Sequence, residues 1–306
     1  MLDVTLIGCG ATMPMPERAT ASCAVQYKGK NILLDCGEGT QAAARKAGVS
    51  LVKIDVICLT HYHGDHIFGL PGLLQTMASQ GRVQPVLLTG PAEGYEQTVS
   101  LLLALAGDLP FEILRRPLDL SGDAVELWDG LRLESCALNH RVPCVGYRFV
   151  LPRAGQFLPQ QAAALGVPCN QWGALQKGKL AELEDGRIIE PQQVLGPPRK
   201  GVTVVYATDT APCSTLPQFV NEADLLICDA TYASEEELDK AQLHGHGTFA
   251  CCAQLAARSG AKRLWLTHYG GALTDPEAEL YRAQAIFEPT EAGFDGKSIQ
   301  LNFPQG

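Results

Sequence analysis

The sequence predicts an α/β fold of layered sheets and helices. Three observations predict it: short apolar runs bounded by Gly, Asp or Thr recur along the chain, helix-like stretches separate several of them, and the string Leu-Thr-His-Tyr occurs twice, at 59–62 and 266–269. In order, the apolar runs are Val4–Ile7, Ile32–Leu34, Val56–Thr60, Val86–Thr89, Leu131–Leu138, Val202–Ala207, Leu225–Cys228 and Leu264–Thr267. Runs of this length with such flanks read as buried strands. Between them, Thr40–Ala47, His66–Ala78, Gln97–Ala106 and Thr248–Ser259 carry helix-like patterning. Each copy of the doubled string closes a strand with a histidine, as two half-domains presenting strand-end side chains at one rim would do.

Composition narrows the class. A chain of 306 residues can bury a large core. Charged residues make up 19% and hydrophobic ones 46%, which excludes disordered and low-complexity classes. No apolar run approaches the roughly 18 residues that span a bilayer. The first basic residue is Arg18, and no long apolar stretch accompanies it, so the N-terminus does not read as a signal peptide. Eleven cysteines are scattered without a C-x-x-C pair, mostly inside apolar runs, as small hydrophobes in a reducing compartment would be. The expectation is a soluble cytoplasmic protein.

Residues 153–200 differ from the rest. They are rich in Gln, Gly and Pro and carry six basic side chains against four acidic ones, in a chain whose formal charge is −9. The stretch reads as an arm inserted into one large domain spanning 1–306, because roughly 50 residues alone make a marginal core.

The chemistry concentrates in Thr60-His61-Tyr62-His63-Gly64-Asp65-His66, directly after a strand. In an extended loop alternate side chains share a side, so His61, His63 and Asp65 converge, and His66 at the start of a helix turns toward a neighbouring point. Imidazole with carboxylate suits zinc, with manganese or iron as competitors. Three more ligand types close or follow strands elsewhere: His140, Asp209 and His268. An α/β scaffold assembles a site from such strand ends, and the ready-made cluster makes all three candidate ligands.

H-x-H-x-D-H followed by a downstream His, Asp and His resembles the metallo-β-lactamase superfamily, and more narrowly its ribonuclease Z family of tRNA 3′-processing endonucleases. The resemblance runs along almost the whole chain. It covers Leu6–Pro14, Leu34–Gln41 (LDCGEGTQ), His61–Leu74 (HYHGDHIFGLPGLL), and His140 with Gly146-Tyr147-Arg148. It continues through Leu183–Arg187, Pro197–Gly201 (PPRKG), Asp209-Thr210, His246 and Leu266-Thr267-His268. The resemblance implies an αββα sandwich of two half-domains with an inserted arm, 153–200, that grips tRNA away from the chemistry. It implies two zinc ions per chain, one on His61, His63 and His140, the other on Asp65, His66 and His268, with Asp209 bridging. It further implies a metal-activated hydroxide attacking phosphorus, Asp65 as the proton acceptor and His246 as the group that protonates the leaving 3′ oxygen. Precursor tRNA as substrate and a homodimer complete what it implies.

Two departures from the family pattern stand out. The family's His-Ser-Thr reads His246-Gly247-Thr248, with His244 two residues before it reading as a surface or supporting histidine. The arm's Gly-Pro pair is interrupted as Gly166-Val167-Pro168. Two alternatives to a tRNA nuclease keep the same residues: a binuclear hydrolase of small cyclic nucleotides, lactones or thioesters, and a non-catalytic RNA-binding or metal-holding protein.

Overall fold

The computed structural model describes residues 1–304. Its first sheet begins with three antiparallel strands, β1 (Leu2–Gly8), β2 (Ser22–Tyr27) and β3 (Lys30–Leu34). It continues in parallel through β4 (Ile54–Cys58), β5 (Val86–Pro91) and β6 (Ile113–Leu118). The second sheet runs antiparallel through β7 (Ala124–Trp128), β8 (Leu131–Ala137) and β9 (Val145–Arg153). Between β9 and the rest of that sheet the chain makes a small ribbon, β10 (Ala181–Glu182) and β11 (Ile188–Ile189). The second sheet then resumes with the parallel strands β12 (Arg199–Ala207), β13 (Leu225–Asp229), β14 (Leu264–Thr267) and β15 (Thr290–Ala292). The last strand, β16 (Ser298–Leu301), returns to pair with β1.

The parallel strands are buried on both faces, which is why they read as continuous apolar runs. On β4, Ile54 and Ile57 face a cluster formed with helices α1 (Thr40–Lys46), α3 (Leu70–Ser79) and α4 (Tyr95–Ala106); α2 (Gly64–Ile67) precedes α3. On β13, Leu226 and Cys228 belong to a second cluster shared with later helices, while the alternate residues Leu225 and Ile227 are buried on the opposite side. Tyr147 on β9 donates to the carbonyl of Leu59, and Tyr206 on β12 reaches Asp35 at the end of β3, so side chains of the second sheet bond to the first. Helices outside, sheets inside is the expected αββα sandwich.

One helix differs from the sequence expectation. The predicted His66–Ala78 helix is broken into α2 and α3 at Gly69, whose amide donates to the carbonyl of Cys36 at 2.9 Å. A Cβ on Gly69 would stand 2.1 Å from the Gly37 carbonyl oxygen, so only glycine permits that approach.

The chain divides into two compact units. Residues 1–150 and 203–302 form the first; Leu151–Val202, with residues 303–304, forms the second. The second carries α5 (Pro159–Ala164), α6 (Cys169–Gln176) and the β10–β11 ribbon. Its own small core contains Ala162, Val167, Leu175, Ala181, Leu183, Ile189 and Val194, with Phe157 and Trp172 against it. In the first unit the chain continues through α7 (Leu216–Val220), α8 (Leu238–His244), α9 (Phe249–Ser259) and α10 (Tyr281–Gln284). Among the described residues no helix is long and apolar enough to cross a membrane.

Candidate metal centre

Strands of both sheets deliver the candidate ligands. The Thr60–His66 turn follows β4, His140 follows β8, Asp209 follows β12 and His268 follows β14. Open α/β sheets place their sites at the carboxyl ends of strands, and three of these four strands belong to the parallel portions. Asp209 and His268 have φ of 54° and 62°, as does Asp35 at 55°. Left-handed backbone at non-glycine residues costs about 1–3 kcal/mol apiece and concentrates at functional sites.

The side chains form two sets. His61, His63, His140 and Asp209 each bring a ligand atom within 4.8 Å of the others. His61 Nε2 lies 2.9 Å from His63 Nδ1, which is 3.3 Å from His140 Nε2. Both Nε2 atoms stand 3.8 Å from Asp209 Oδ2. Asp65, His66 and His268 make the second set. There His66 Nε2 and His268 Nε2 are 3.2 Å apart, and each is 3.2 Å from Asp209 Oδ1. Asp65 Oδ2 completes it at 3.7 and 3.5 Å from the same nitrogens. Asp209 therefore turns one oxygen to each set.

This donor geometry fits metal ions. Asp209 Oδ1 is buried and makes no hydrogen bond, although two imidazole nitrogens stand at contact distance. A buried carboxylate oxygen left without an aligned donor is costly unless a cation completes it. All-nitrogen and carboxylate-oxygen donors are those zinc, manganese and iron share.

The imidazoles are oriented from behind. Asp35 Oδ2 meets His66 Nδ1 at 2.8 Å, and its other oxygen accepts from the Thr60 amide. The Gly245 carbonyl meets His140 Nδ1 at 3.0 Å. Thr231 Oγ1 reaches His268 Nδ1 at 3.0 Å and donates to Asp229. The amide of Thr12 donates to Asp65 Oδ2 at 2.6 Å. Such partners fix the tautomer and ring plane of a metal-binding histidine.

Charge is distributed unevenly in the metal-free chain. Burial, then the neighbouring His66, holds His61 well below the usual imidazole range, which keeps it neutral and ligand-ready. Burial also pushes His268 down, but Asp209, Asp229 and Asp65 outweigh it and lift it to about 10. Asp209 moves the other way. Its burial would raise it, yet His268, His66 and His61 bring it well below the carboxylate range.

His246 also lies here. Its Nδ1 binds Asp229 Oδ2 at 2.7 Å, its ring stacks on His268 with centroids 5.4 Å apart, and it stands 3.9 Å from Asp209. Asp209, His246 and His268 could form a third ligand group. However, a nitrogen already committed to a buried carboxylate is a poor ligand, and the two sets above are complete without it. His244, in the last turn of α8, takes part in none of these groups.

The similarity of the chain to other proteins matches this arrangement. Residues 15–137 match the Metallo-beta-lactamase superfamily and residues 193–269 match the Beta-lactamase superfamily domain. A protein of Agathobacter rectalis named Ribonuclease Z is 40% identical over 305 residues, covering 100% of both chains. The chain belongs to the ribonuclease Z family. A second member, the Ribonuclease Z of Lachnoclostridium phytofermentans, is 42% identical over 99% of both chains. Among solved structures, the short form of human tRNase Z superposes with a TM-score of 0.71 at 24% identity, covering 98% of this chain and all of that one. This likeness bears on the fold, which is the metallo-β-lactamase fold expected from the sequence.

Against that family background the structure adds positions that residue patterns alone did not single out as functional. Asp229 at the end of β13, Thr231 just after it, and Gly245 support the cluster, while Thr12 and Asp35 support it from within the quoted stretches Leu6–Pro14 and Leu34–Gln41. Their only signal in the sequence is that acids at 35 and 229 interrupt apolar runs at strand ends.

Proposed function

We propose that this chain is a metal-dependent endoribonuclease that removes 3′ trailers from tRNA precursors. The observation that carries the reading is the meeting of two complete ligand sets on Asp209, in a chain matched end to end by relatives named Ribonuclease Z. His61, His63 and His140 would hold one metal ion, Asp65, His66 and His268 the other, and Asp209 both, with zinc the best fit to these donors. When bound, the ions supply Lewis acidity that lowers the pKa of a water and neutralises charge on the phosphoryl oxygens.

The chain's own groups then divide the proton work. Asp65 accepts a hydrogen bond at Oδ2 from the Thr12 amide, which favours its ionised form. It takes the proton of the water that attacks phosphorus. His246, fixed through Nδ1 by Asp229, keeps Nε2 for the leaving 3′ oxygen. Asp229 stays an anion behind it; burial opposes this and the His246 charge and hydrogen bond prevail. The absence of a serine hydroxyl at Gly247 leaves phosphate positioning to the metals and these rings.

The second unit is read as an exosite for the body of the tRNA. Lys177 and Lys179 are exposed there, and Arg187 pairs with Asp185 at 2.7 Å. Phosphate contacts by such side chains contribute salt-dependent affinity. A homodimer acting in the cytoplasm on precursor tRNA completes the reading. The test is incubation of the purified, metal-loaded protein with a precursor carrying a 3′ trailer, with both product ends mapped. One cut at the trailer junction is expected; hydrolysis of small phosphodiesters with the precursor left intact would replace tRNA by a small substrate.

A further inference from the structure

Behind the His246 loop lies a cavity of about 90 Å³ walled by thiols. Cys228 and Cys252 are buried in it, and Cys213 and Cys251 are half-buried beside Pro212, Leu216, Pro217 and Leu255. Asp229 and Gly247 form part of its wall. Cys252 Sγ donates to the Asp229 carbonyl at 2.6 Å, and a Cβ on Gly247 would stand 3.8 Å from Cys251 Cβ. The far side of this wall is the catalytic face, because Asp229 fixes His246 and Gly247 follows it directly. The exposed guanidinium of Arg258 also borders the cavity and has no ion pair or hydrogen bond among the described residues.

We propose that this cavity is a thiol-modification site, at which Cys251 takes half of a small carboxylate-bearing disulfide guided by Arg258, and that the adduct displaces His246 from behind. In the exchange, a bond forms between Cys251 Sγ and one sulfur of the disulfide while the reagent's own S–S bond breaks. Its other half leaves as a thiolate. The Cys251 sulfur is oxidised, the departing half is reduced, and the thiol proton passes to solvent. Cys251 is half-buried, which gives it access that the buried Cys228 and Cys252 lack. An aromatic acid tethered to Cys251 lies against Asp229 and Gly247, which line the same cavity. This consequence rests on the reading of His246 as proton donor; the adduct itself does not.

The probe is 5,5′-dithiobis(2-nitrobenzoic acid), applied to the full-length, metal-loaded protein, with bis(2-hydroxyethyl) disulfide as the uncharged comparison. After removal of excess reagent, adducts are mapped by mass, metal is counted and bis-p-nitrophenyl phosphate turnover is measured. We expect a Cys251 adduct, at least a tenfold loss of turnover with metal content unchanged, and recovery with dithiothreitol. Cys251→Ser and Cys251→Ala should both keep their turnover through the treatment, whereas removing the exposed Cys169 should give no protection. Arg258→Gln should slow modification by the carboxylate reagent and leave the uncharged one unaffected. Adducts confined to Cys169 or Cys213, a Cys251 adduct with full turnover, or equal inhibition of Cys251→Ser would overturn the proposal. If the untreated protein turned nothing over, the functional reading would fall. The adduct map and its Arg258 dependence would still decide whether the site exists.

Discussion

Asp229 holds His246 Nδ1 and Asp35 holds His66 Nδ1, nitrogens that neither donor set uses, and this sets their expected phenotypes apart from those of the candidate ligands. Asp229→Asn should leave the metal content near normal and lower turnover by about 10–100-fold, the usual cost of removing an outer partner. His246→Ala should likewise retain metal and lower turnover by roughly 10²–10⁴-fold, with little change in KM for a small phosphodiester. With Asp65 proposed as both a ligand and the proton acceptor, Asp65→Ala should lose turnover and about half of the bound metal together in elemental analysis. Retention of full metal by Asp65→Ala would show that Asp65 is no ligand. Thiol chemistry follows the same residue logic. Burial pushes the Cys136 thiol up to about 12 and those of Cys9, Cys23 and Cys36 further still. The thiolate is the reactive form, so at pH 8 iodoacetamide should leave these four untouched until the protein unfolds, while exposed Cys169 reacts. The ligands were legible because four of them fall within six residues and the others close apolar runs. Asp35 and Asp229 gave no comparable signal: each is a single acid at a strand end, and the imidazole it holds lies 31 or 17 residues away in sequence.

Among elements, strands read true because both of their faces are buried, as in β4 and β13. The helix after the histidine cluster misled because the apolar spacing of His66–Ala78 is helical on either side of Gly69, while the break comes from a backbone contact with Cys36 that no periodicity encodes. The second unit was visible as a composition change, but not its packed core, since Ala162, Leu175 and Val194 meet across loops. Replacing residues 153–200 by a short linker tests what that unit does. Turnover of bis-p-nitrophenyl phosphate should survive, whereas precursor tRNA cleavage should fall steeply. Each phosphate contact removed with Lys177 or Lys179 should flatten the salt dependence of tRNA binding by about one unit of log–log slope. Equal loss of both activities would mean that the unit serves the fold.

At the scale of the whole molecule, the doubled Leu-Thr-His-Tyr string now has a structural meaning. One copy follows β4 in the first sheet and supplies His61; the other closes β14 in the second sheet and supplies His268, so each donor set receives one of the two repeated histidines. Asp209 joins the sets, and with it the account stands or falls. The decisive measurement is a titration of zinc into chelator-stripped protein, with bound metal and cleavage of a trailer-bearing tRNA precursor followed together. Cleavage at the trailer junction should rise only as the second equivalent binds and reach its plateau at two ions per chain. Full cleavage with one bound ion would contradict the shared centre.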